Sequence, residues 1–383
     1  MSAPIVAVVG GGQLARMMQE SANALGIHLR ALVEAADGSS AQVIPDHRVG
    51  HPDDDTAMDE LVAGADVLTF EHEHIPDAQL ARLASRLPIE PKAGALHFAQ
   101  DKIAMRQRLS AAGIACPEWT TCRTREELTE IGQRWGWPVV VKWARGGYDG
   151  HGVAVVTDPA DIASWFDDLA EGDALLVEEH VPFTREVAAL LARSRSGECV
   201  AWPLTQTIQR DGICHVAMAP APGLDPALAR EATDIGYRVA AELDVTGVLA
   251  VEMFVVEGDS PRVVVNELAM RPHNSGHWTI EGSLTSQFEN HLRAVLDLPL
   301  GDTRMVAPAA CMVNVLGSAR AEPRDAYAAV MAREPGAKIH YYGKGVRPGR
   351  KLGHVTMIGD DIADIRRRAE ACARAIEADE KGN

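Results

Sequence analysis

Apolar residues in the first hundred positions form short, nearly continuous runs that alternate with amphipathic stretches. The runs at 5–9, 26–33 and 65–70 are predominantly apolar, a pattern typical of strands buried on both faces of a parallel sheet. A helical pattern connects the first two runs. Because parallel strands require crossover connections, this alternation predicts an α/β domain with a Rossmann-like parallel sheet over residues 1–97.

The pattern changes after this segment. A helix is expected around 101–112, and apolar runs at 138–143 and 153–156 flank a glycine-rich turn. Two strands joined by such a turn predict a hairpin, so the local sheet is expected to be antiparallel. A further strand is expected at 175–179, and we assign residues 98–183 to a small subdomain.

Longer elements follow, and we assign them to a larger subdomain over residues 184–300. The expected elements are strands at 186–192, 248–256 and 262–268 and helices at 227–243 and 284–296. Residues 301–304 are expected to form a linker. Residues 301–383 are expected to form a C-terminal domain with short strands, a basic glycine-rich loop and a final charged helix. The predicted fold class is therefore mixed α/β and α+β, with several domains.

Composition limits the possible functions. The chain has 383 residues with 37 Lys and Arg against 54 Asp and Glu, so its formal net charge is −17. This excess of negative charge repels phosphate backbones and anionic membranes, which argues against a nucleic-acid or membrane partner. No apolar run approaches the roughly 20 residues that span a bilayer. The six cysteines are scattered without a C-x-x-C pair, which favours a reducing, cytoplasmic location.

A glycine turn joins the first strand to the first helix. Gly10, Gly12 and Ala15 have the spacing of a dinucleotide fingerprint, and Glu34 ends the second strand. Such a turn lets an anion approach the free N–H groups of the helix. The alternative is a tight turn without a ligand. We favour an anion site, but the rest of the chain argues against NAD as that anion.

A second glycine-rich segment follows Lys142, which ends an apolar strand. The loop at 146–152 contains four glycines in seven residues. A lysine on a strand, beside backbone amides that can close over a ligand, is suited to the phosphates of a nucleoside triphosphate. The alternative is a purely structural hairpin turn.

A pair of acidic strands forms the third feature. Glu252 and the dipeptide Asn266-Glu267 lie on apolar strands that are separated by a polar turn. Antiparallel pairing would bring residues 252 and 267 opposite each other, and buried carboxylates require a counter-charge. Mg²⁺ is the natural partner because it prefers oxygen ligands and nucleotide phosphates. The alternative is a pair of solvent-facing glutamates.

These motifs, taken in chain order, resemble the ATP-grasp superfamily, and within it the 5-(carboxyamino)imidazole ribonucleotide synthases of purine biosynthesis. The resemblance extends over residues 5–358, and its most specific string is RPHNSGH at 271–277. The other matching strings lie at 11–14, 70–73, 146–150, 266–269 and 347–354.

The resemblance implies both a fold and a reaction. The fold would be the three-part ATP-grasp arrangement, with a biotin-carboxylase-like N-terminal domain and a small C-terminal domain that packs against it, in a homodimer. ATP would phosphorylate bicarbonate to carboxyphosphate, and the amine of 5-aminoimidazole ribonucleotide would capture the carboxyl group. The products would be the N5-carboxylated ribonucleotide, ADP and phosphate.

The resemblance also implies a role for each motif. Catalysis would depend on Arg271, Lys142 and Asp149, and Mg²⁺ would be held by Glu252 and Glu267. Lys102 and Lys142 would hold the ATP phosphates, Glu178 and Val181 the adenine edge, and Glu186 the ribose. The residues that complete the nucleotide site would be Gly146, Gly147, Tyr148, Asp149, Gly150, His151, Gly152, Glu179, His180, Gln209, Asn266 and Glu267. The ribonucleotide would be held by Gln13, Leu14, Glu71, Tyr148, Asp149, Arg271, His273, Asn274, Ser275, Lys344, Arg350 and Lys351.

Other assignments remain open from the sequence alone. A formate-using glycinamide ribonucleotide ligase or a biotin-dependent carboxylase subunit would share the ATP-grasp motifs. An NAD(P)-dependent oxidoreductase would use Gly10, Gly12 and Glu34, but it leaves Lys142 and Glu267 unexplained. A non-catalytic nucleotide-binding scaffold would bind ATP without turnover.

Overall fold

The structure is a computed structural model that describes residues 3–146, 152–210, 212–318 and 320–378. Its first segment is a parallel sheet with the strand order β3-β2-β1-β4. The strands are β1 (Ile5–Val9), β2 (His28–Val33), β3 (His47–Val49) and β4 (Val67–Phe70), and the helices are α1 (Gln13–Leu25), α2 (Asp55–Val62), α3 (Asp77–Leu83) and α4 (Ala93–Gln100). The predicted parallel α/β segment is confirmed.

The second segment contains a small antiparallel sheet with the order β5-β8-β6-β7. Its elements are α5 (Lys102–Ala111), β5 (Trp119–Cys122), α6 (Arg125–Trp135), β6 (Val139–Trp143), β7 (Val153–Val156), α7 (Ala163–Asp167) and β8 (Leu175–Glu179). The predicted hairpin is confirmed, since Val139 pairs with Val156. The sheet packs its own core with α6, whereas Met105 and Leu109 of α5 pack into the core of the next segment.

The remaining strands form one continuous antiparallel sheet with the order β14-β13-β9-β11-β12-β15-β17-β16, and β10 pairs with β9. Its first part comprises β9 (Arg185–Arg193), β10 (Cys199–Ala201), β11 (Thr205–Arg210), β12 (Ile213–Ala219), α8 (Pro226–Glu242), β13 (Gly247–Val256), β14 (Arg262–Ala269), α9 (Thr279–Gly282) and α10 (Gln287–Val295). Helix α10 begins three residues later than expected because the hydroxyl of Ser286 caps it.

The C-terminal strands extend this same sheet. Its last part comprises β15 (Ala309–Leu316), α11 (Tyr327–Arg333), β16 (Lys338–Tyr341), β17 (Lys351–Gly359) and α12 (Ile362–Glu377). β15 pairs with β12, so no gap in the sheet separates residues 301–378 from the larger subdomain. The expectation of short strands is wrong for β15 and β17, which have eight and nine residues and pair with each other along their length.

Hydrophobic cores connect three of these segments. Phe288 of α10 and Tyr342, which follows β16, are buried together with Met18 of α1. The amide of Gln42 also donates to the carbonyl of Gly343 at 2.8 Å, so the loop after β16 lies against the first segment. Within the described residues, none of the helices is long and apolar enough to cross a bilayer.

Candidate active site

The paired carboxylates lie where β13 meets β14. Glu252 is opposite Glu267, which confirms the predicted pairing, but Met253 is opposite Val265. Asn266 is therefore the extra residue of a β-bulge, which interrupts the usual alternation of side chains along a strand. As a result, the adjacent side chains of Asn266 and Glu267 both reach lysines of the second segment.

Two lysines face this bulge. The ammonium of Lys142 on β6 donates to Oδ1 of Asn266 at 2.9 Å. The ammonium of Lys102, at the start of α5, lies 3.5 Å from Oε1 of Glu267 and donates to the carbonyl of Gly146 at 3.1 Å. The site therefore brings two ammonium groups against the oxygen ligands of β14.

A third carboxylate belongs to the same face. Glu186 on β9 is opposite Phe254, two residues from Glu252, so the two glutamates share a face of the sheet. Burial and the charge of Glu252 raise the pKa of Glu186 to about 7. Within the described residues, no group of three or more His, Cys, Asp and Glu is arranged to hold a metal ion without further ligands.

Glu252 keeps its charge because cations surround it. Its Oε1 lies 3.0 Å from Nε2 of His273. Burial would raise the pKa of Glu252, but His273, and after it Arg271 and Lys351, hold that pKa below its ordinary value. Nδ1 of His273 lies 2.9 Å from the hydroxyl oxygen of Ser275.

Arg106, which was not among the predicted site residues, shares the carboxylate of Glu178 with Lys142. Nε of Arg106 on α5 donates to Oε1 of Glu178 at 2.5 Å, while Lys142 lies 2.8 Å from Oε2. Arg106 is fully buried, and Glu178 is 2 % exposed. Burial would raise the pKa of Glu178, but Lys142 and Arg106 hold it at about 2. The helical spacing of four residues from Lys102 is the signal that could have found Arg106.

The neighbours of Glu178 are also placed by the structure. The carboxylate of Glu178 is used by the two cations, so the contact with adenine expected for this residue remains a prediction. Oε2 of Glu179 lies 3.2 Å from Arg262, and Val181 is buried. His180 lies between them, directly after β8.

The N-terminus of α1 is filled by the protein itself. The carboxylate of Glu71, directly after β4, accepts from the N–H of Gly12 and, at 2.9 Å, from the N–H of Ala15. A Cβ on Gly10 or Gly12 would lie 2.2 Å or 2.6 Å from Glu71. The glycines of this turn therefore make room for an internal carboxylate, and binding of an external anion here stays a prediction.

Arg271 connects the site to the first segment. Its Nε lies 3.0 Å from Oε1 of Glu73, two residues beyond Glu71. Glu73 lies in the matching string at 70–73 but has no predicted role. Oδ1 of Asn274 is buried and has no hydrogen-bond partner among the described residues. Arg271 therefore lies at the junction of the first segment and the large sheet.

The basic loop after β16 reaches the same junction. The ammonium of Lys344 donates to Oε1 of Gln13, and Leu14 beside it is buried. Lys351 is 9 % exposed and close enough to Glu252 to lower the pKa of that carboxyl. Arg350 instead donates to the carbonyl of Gly345 at 3.1 Å.

The other predicted residues lie at the edges of this arrangement. Gly152 accepts from the N–H of Trp143 at 3.0 Å, and Gln209 on β11 lies two residues from Thr207, the partner of Glu186. The predicted residues outside the described part of the chain are Gly147, Tyr148, Asp149, Gly150 and His151.

Sequence families match successive parts of the chain. The ribonucleotide synthetase preATP-grasp domain matches residues 4–100, and the ATP-grasp domain matches residues 107–288. The phosphoribosylaminoimidazole carboxylase C-terminal domain matches residues 310–368.

Curated relatives and solved structures match nearly the whole chain. The N5-carboxyaminoimidazole ribonucleotide synthase of Mycobacterium bovis is 50 % identical over 376 residues, which cover 97 % of this chain and 87 % of that protein. A crystal structure of an N5-carboxyaminoimidazole ribonucleotide synthetase with ADP has a TM-score of 0.88 and 32 % identity, and the match covers 97 % of each chain. The enzyme of Aspergillus clavatus with ADP and 5-aminoimidazole ribonucleotide has a TM-score of 0.87 and 32 % identity, over 98 % of this chain and 99 % of that one.

Proposed function

Because the chain belongs to the N5-carboxyaminoimidazole ribonucleotide synthases of the ATP-grasp superfamily, we propose that it uses bicarbonate and ATP in one site between its two antiparallel sheets. The protein is an ATP-grasp ligase that carboxylates 5-aminoimidazole ribonucleotide to the N5-carboxyamino product in purine biosynthesis. This assignment replaces the alternatives of an oxidoreductase, another ATP-grasp ligase and a non-catalytic scaffold.

The observation that carries the proposed site is the contact of two lysines with the oxygen ligands of β14. Lys102 lies 3.5 Å from Oε1 of Glu267, and Lys142 donates to Oδ1 of Asn266 at 2.9 Å. The triphosphate would lie between them, with each ammonium turned from its present partner to a phosphate oxygen. Positioning and charge neutralisation are the main contributions that a protein makes to phosphoryl transfer.

The acidic face fits Mg²⁺ as the counter-ion of the nucleotide. Glu252, Glu267 and Asn266 offer oxygen ligands only, which suits a hard cation that also binds phosphates. Bound there, Mg²⁺ would neutralise charge on the phosphates. Glu186, on the same face, would lie near the ribose end of the nucleotide or complete the charge around the metal.

The carboxylation would proceed in two balanced steps. An oxygen of bicarbonate attacks the γ-phosphorus, the bond to the β–γ bridging oxygen breaks, and ADP leaves. The amine of the ribonucleotide then bonds to the carboxyl carbon, phosphate leaves, and the nitrogen loses a proton. Arg271, held on one side by Glu73 at 3.0 Å, would present a fixed cation to carboxyphosphate.

The ribonucleotide would bind on the side of the first segment. Lys344, Lys351 and Arg350 would supply positive charge for its 5′-phosphate. His273, which lies 3.0 Å from Glu252, and Asn274 would orient the imidazole ribonucleotide. The carboxylate of Glu71 is bound by the N-terminus of α1, so Glu71 would contact only the outer edge of the ribonucleotide. We also propose a homodimer in a reducing cytoplasm, both of which are expectations from the family and the cysteine pattern.

Measurement of ADP release tests the function directly. With Mg²⁺-ATP and bicarbonate, release is expected to depend on added 5-aminoimidazole ribonucleotide, and the N5-carboxyamino product should form in equal amounts. Glycinamide ribonucleotide with formate serves as the matched control for the related ligase. An ADP release rate that is the same with and without the aminoimidazole ribonucleotide would contradict the proposal.

A further inference from the structure

The buried Arg106 closes a ring of four contacts beside the proposed triphosphate site. Arg106 donates to Glu178 at 2.5 Å, Glu178 lies 2.8 Å from Lys142, and Lys142 donates to Oδ1 of Asn266 at 2.9 Å. The ring closes where Nη2 of Arg106 donates to the backbone carbonyl of Asn266 at 2.7 Å. Each member thus has two partners within the ring.

The charges of this ring are not balanced. Lys142 and Arg106 carry one positive charge each, and Glu178 carries one negative charge, so the three groups together retain one positive charge. All three are nearly or fully buried, at 4 %, 0 % and 2 % exposure. Because water is largely excluded, the remaining charge acts strongly on any anion placed beside Lys142.

We propose that Arg106 is a positioning residue for the reaction, which keeps Lys142 available to ATP by balancing the charge of Glu178. Without Arg106, Lys142 and Glu178 would form a neutral buried pair, and the ammonium would have to leave a carboxylate to reach a phosphate. With Arg106 present, the charge of the Glu178 carboxylate is already balanced through Oε1, so Lys142 can leave Oε2. This inference rests on the proposed placement of ATP at Lys142.

Arginine is the side chain that binds both acceptors at once. Its Nε and Nη2 bind two acceptors on different strands, the Glu178 carboxylate on β8 and the Asn266 carbonyl on β14. A lysine could supply the charge, but a single ammonium has no rigid fork with which to hold both acceptors in one arrangement. The charge and the bridging geometry can therefore be separated by substitution.

The test compares variants at Arg106 with Arg108→Met, because Arg108 lies on the same helix but is half exposed and pairs with Glu242. Arg106→Met should raise the KM for ATP and the Kd for ADP at least tenfold, with the KM for the ribonucleotide unchanged within about twofold. Arg106→Lys should keep both constants within about threefold of the wild type, since the charge is retained. Arg108→Met should match the wild type.

A double variant distinguishes charge balance from a structural role. Arg106→Met with Glu178→Gln retains one net positive charge at Lys142 and leaves no carboxylate for Arg106 to balance. Its Kd for ADP should therefore lie within about threefold of that of Glu178→Gln alone, a comparison that cancels any contact of Glu178 with adenine. The inference would be overturned if the double variant bound ADP as weakly, relative to Glu178→Gln, as Arg106→Met does relative to the wild type. It would also be overturned if Arg106→Met bound ADP as tightly as Arg108→Met. If Arg106→Met yields no folded protein, the Kd of the double variant for ADP, judged by the same threefold limit, decides whether the inference holds.

The ADP affinity, measured by calorimetry, does not require turnover. Wild-type protein that binds ADP but fails to carboxylate the ribonucleotide would contradict the proposed function while the Arg106 comparison is still decided. Conversely, if the wild type is active and Arg106→Met binds ADP as tightly as the wild type, only the role of Arg106 is rejected.

Discussion

The contact between Glu71 and the glycine turn leads to a quantitative prediction about stability. Glu71 is 9 % exposed and accepts from the N–H groups of Gly12 and Ala15. Glu71→Ala leaves both donors without a protein partner, and a hydrogen bond to a charged group contributes about 1.5–3 kcal/mol. Water can solvate part of the exposed helix end, so we expect a loss of about 3 kcal/mol, above the usual range for a helix cap.

Gly12→Ala should destabilise the protein only through Glu71. The backbone at Gly12 (φ −90°, ψ −159°) is open to alanine, but the new Cβ would lie 2.6 Å from Oε1 of Glu71. Overpacking of this kind costs about 1–3 kcal/mol. When Glu71 is also alanine, the clash is absent, so the double variant should be about as stable as Glu71→Ala alone. The expected coupling is therefore about 2 kcal/mol.

The assay must report on the first segment. All seven tryptophans lie at position 119 or beyond, so their fluorescence does not follow α1 directly. Hydrogen exchange of the α1 amides, together with urea unfolding followed by circular dichroism, measures the relevant free energy. Glu34→Ala, at an exposed site after β2, is the matched control. Additive losses in the double variant would refute the argument that Glu71 is the reason for these glycines.

Further predictions concern the active site. Glu267→Gln should lower ATP turnover at least a hundredfold while the fold is kept, with the exposed Glu231→Gln on α8 as control; activity within a few-fold of the wild type would reject the metal role. Lys351→Ala should raise the KM for the ribonucleotide at least tenfold but the KM for ATP less than twofold, and an unchanged ribonucleotide KM would move the phosphate site elsewhere. The pKa of Glu186 is raised from 4.5 to about 7, so the folded state holds a proton that the unfolded state releases. In metal-free buffer, stability should fall as the pH rises from 5 to 8, and urea titrations of Glu186→Gln should show a smaller fall; identical pH profiles would contradict this.

Much of the site was predictable because its signals are local. Continuous apolar runs located the strands that carry Lys142 and Glu178, and a polar turn between two such runs predicted that Glu252 and Glu267 lie opposite each other. These inferences need only the period of a strand and the geometry of a hairpin.

The features that were missed depend on contacts between distant parts of the chain. Pairing of β12 with β15 joins residues nearly a hundred positions apart, and apolar patterns do not identify a strand's partner. A bulge such as the one at Asn266 leaves no mark on the hydrophobic pattern. Glu71 was recognised as a site residue, but its occupation of the turn at Gly12 requires the position of β4 beside β1.

The arrangement of the cores determines which part of this molecule can move. The first segment, the large sheet and the C-terminal strands share buried side chains or backbone pairing, so displacing any of them would expose core. The small sheet has a core of its own, so its displacement would leave the shared cores covered. Arg106 and Asn266 lie on elements that pack with the large sheet, whereas Glu178 and Lys142 lie on the small sheet. Their contacts therefore join the two parts, and ATP bound at Lys142 would change one of the contacts that hold the small sheet in place.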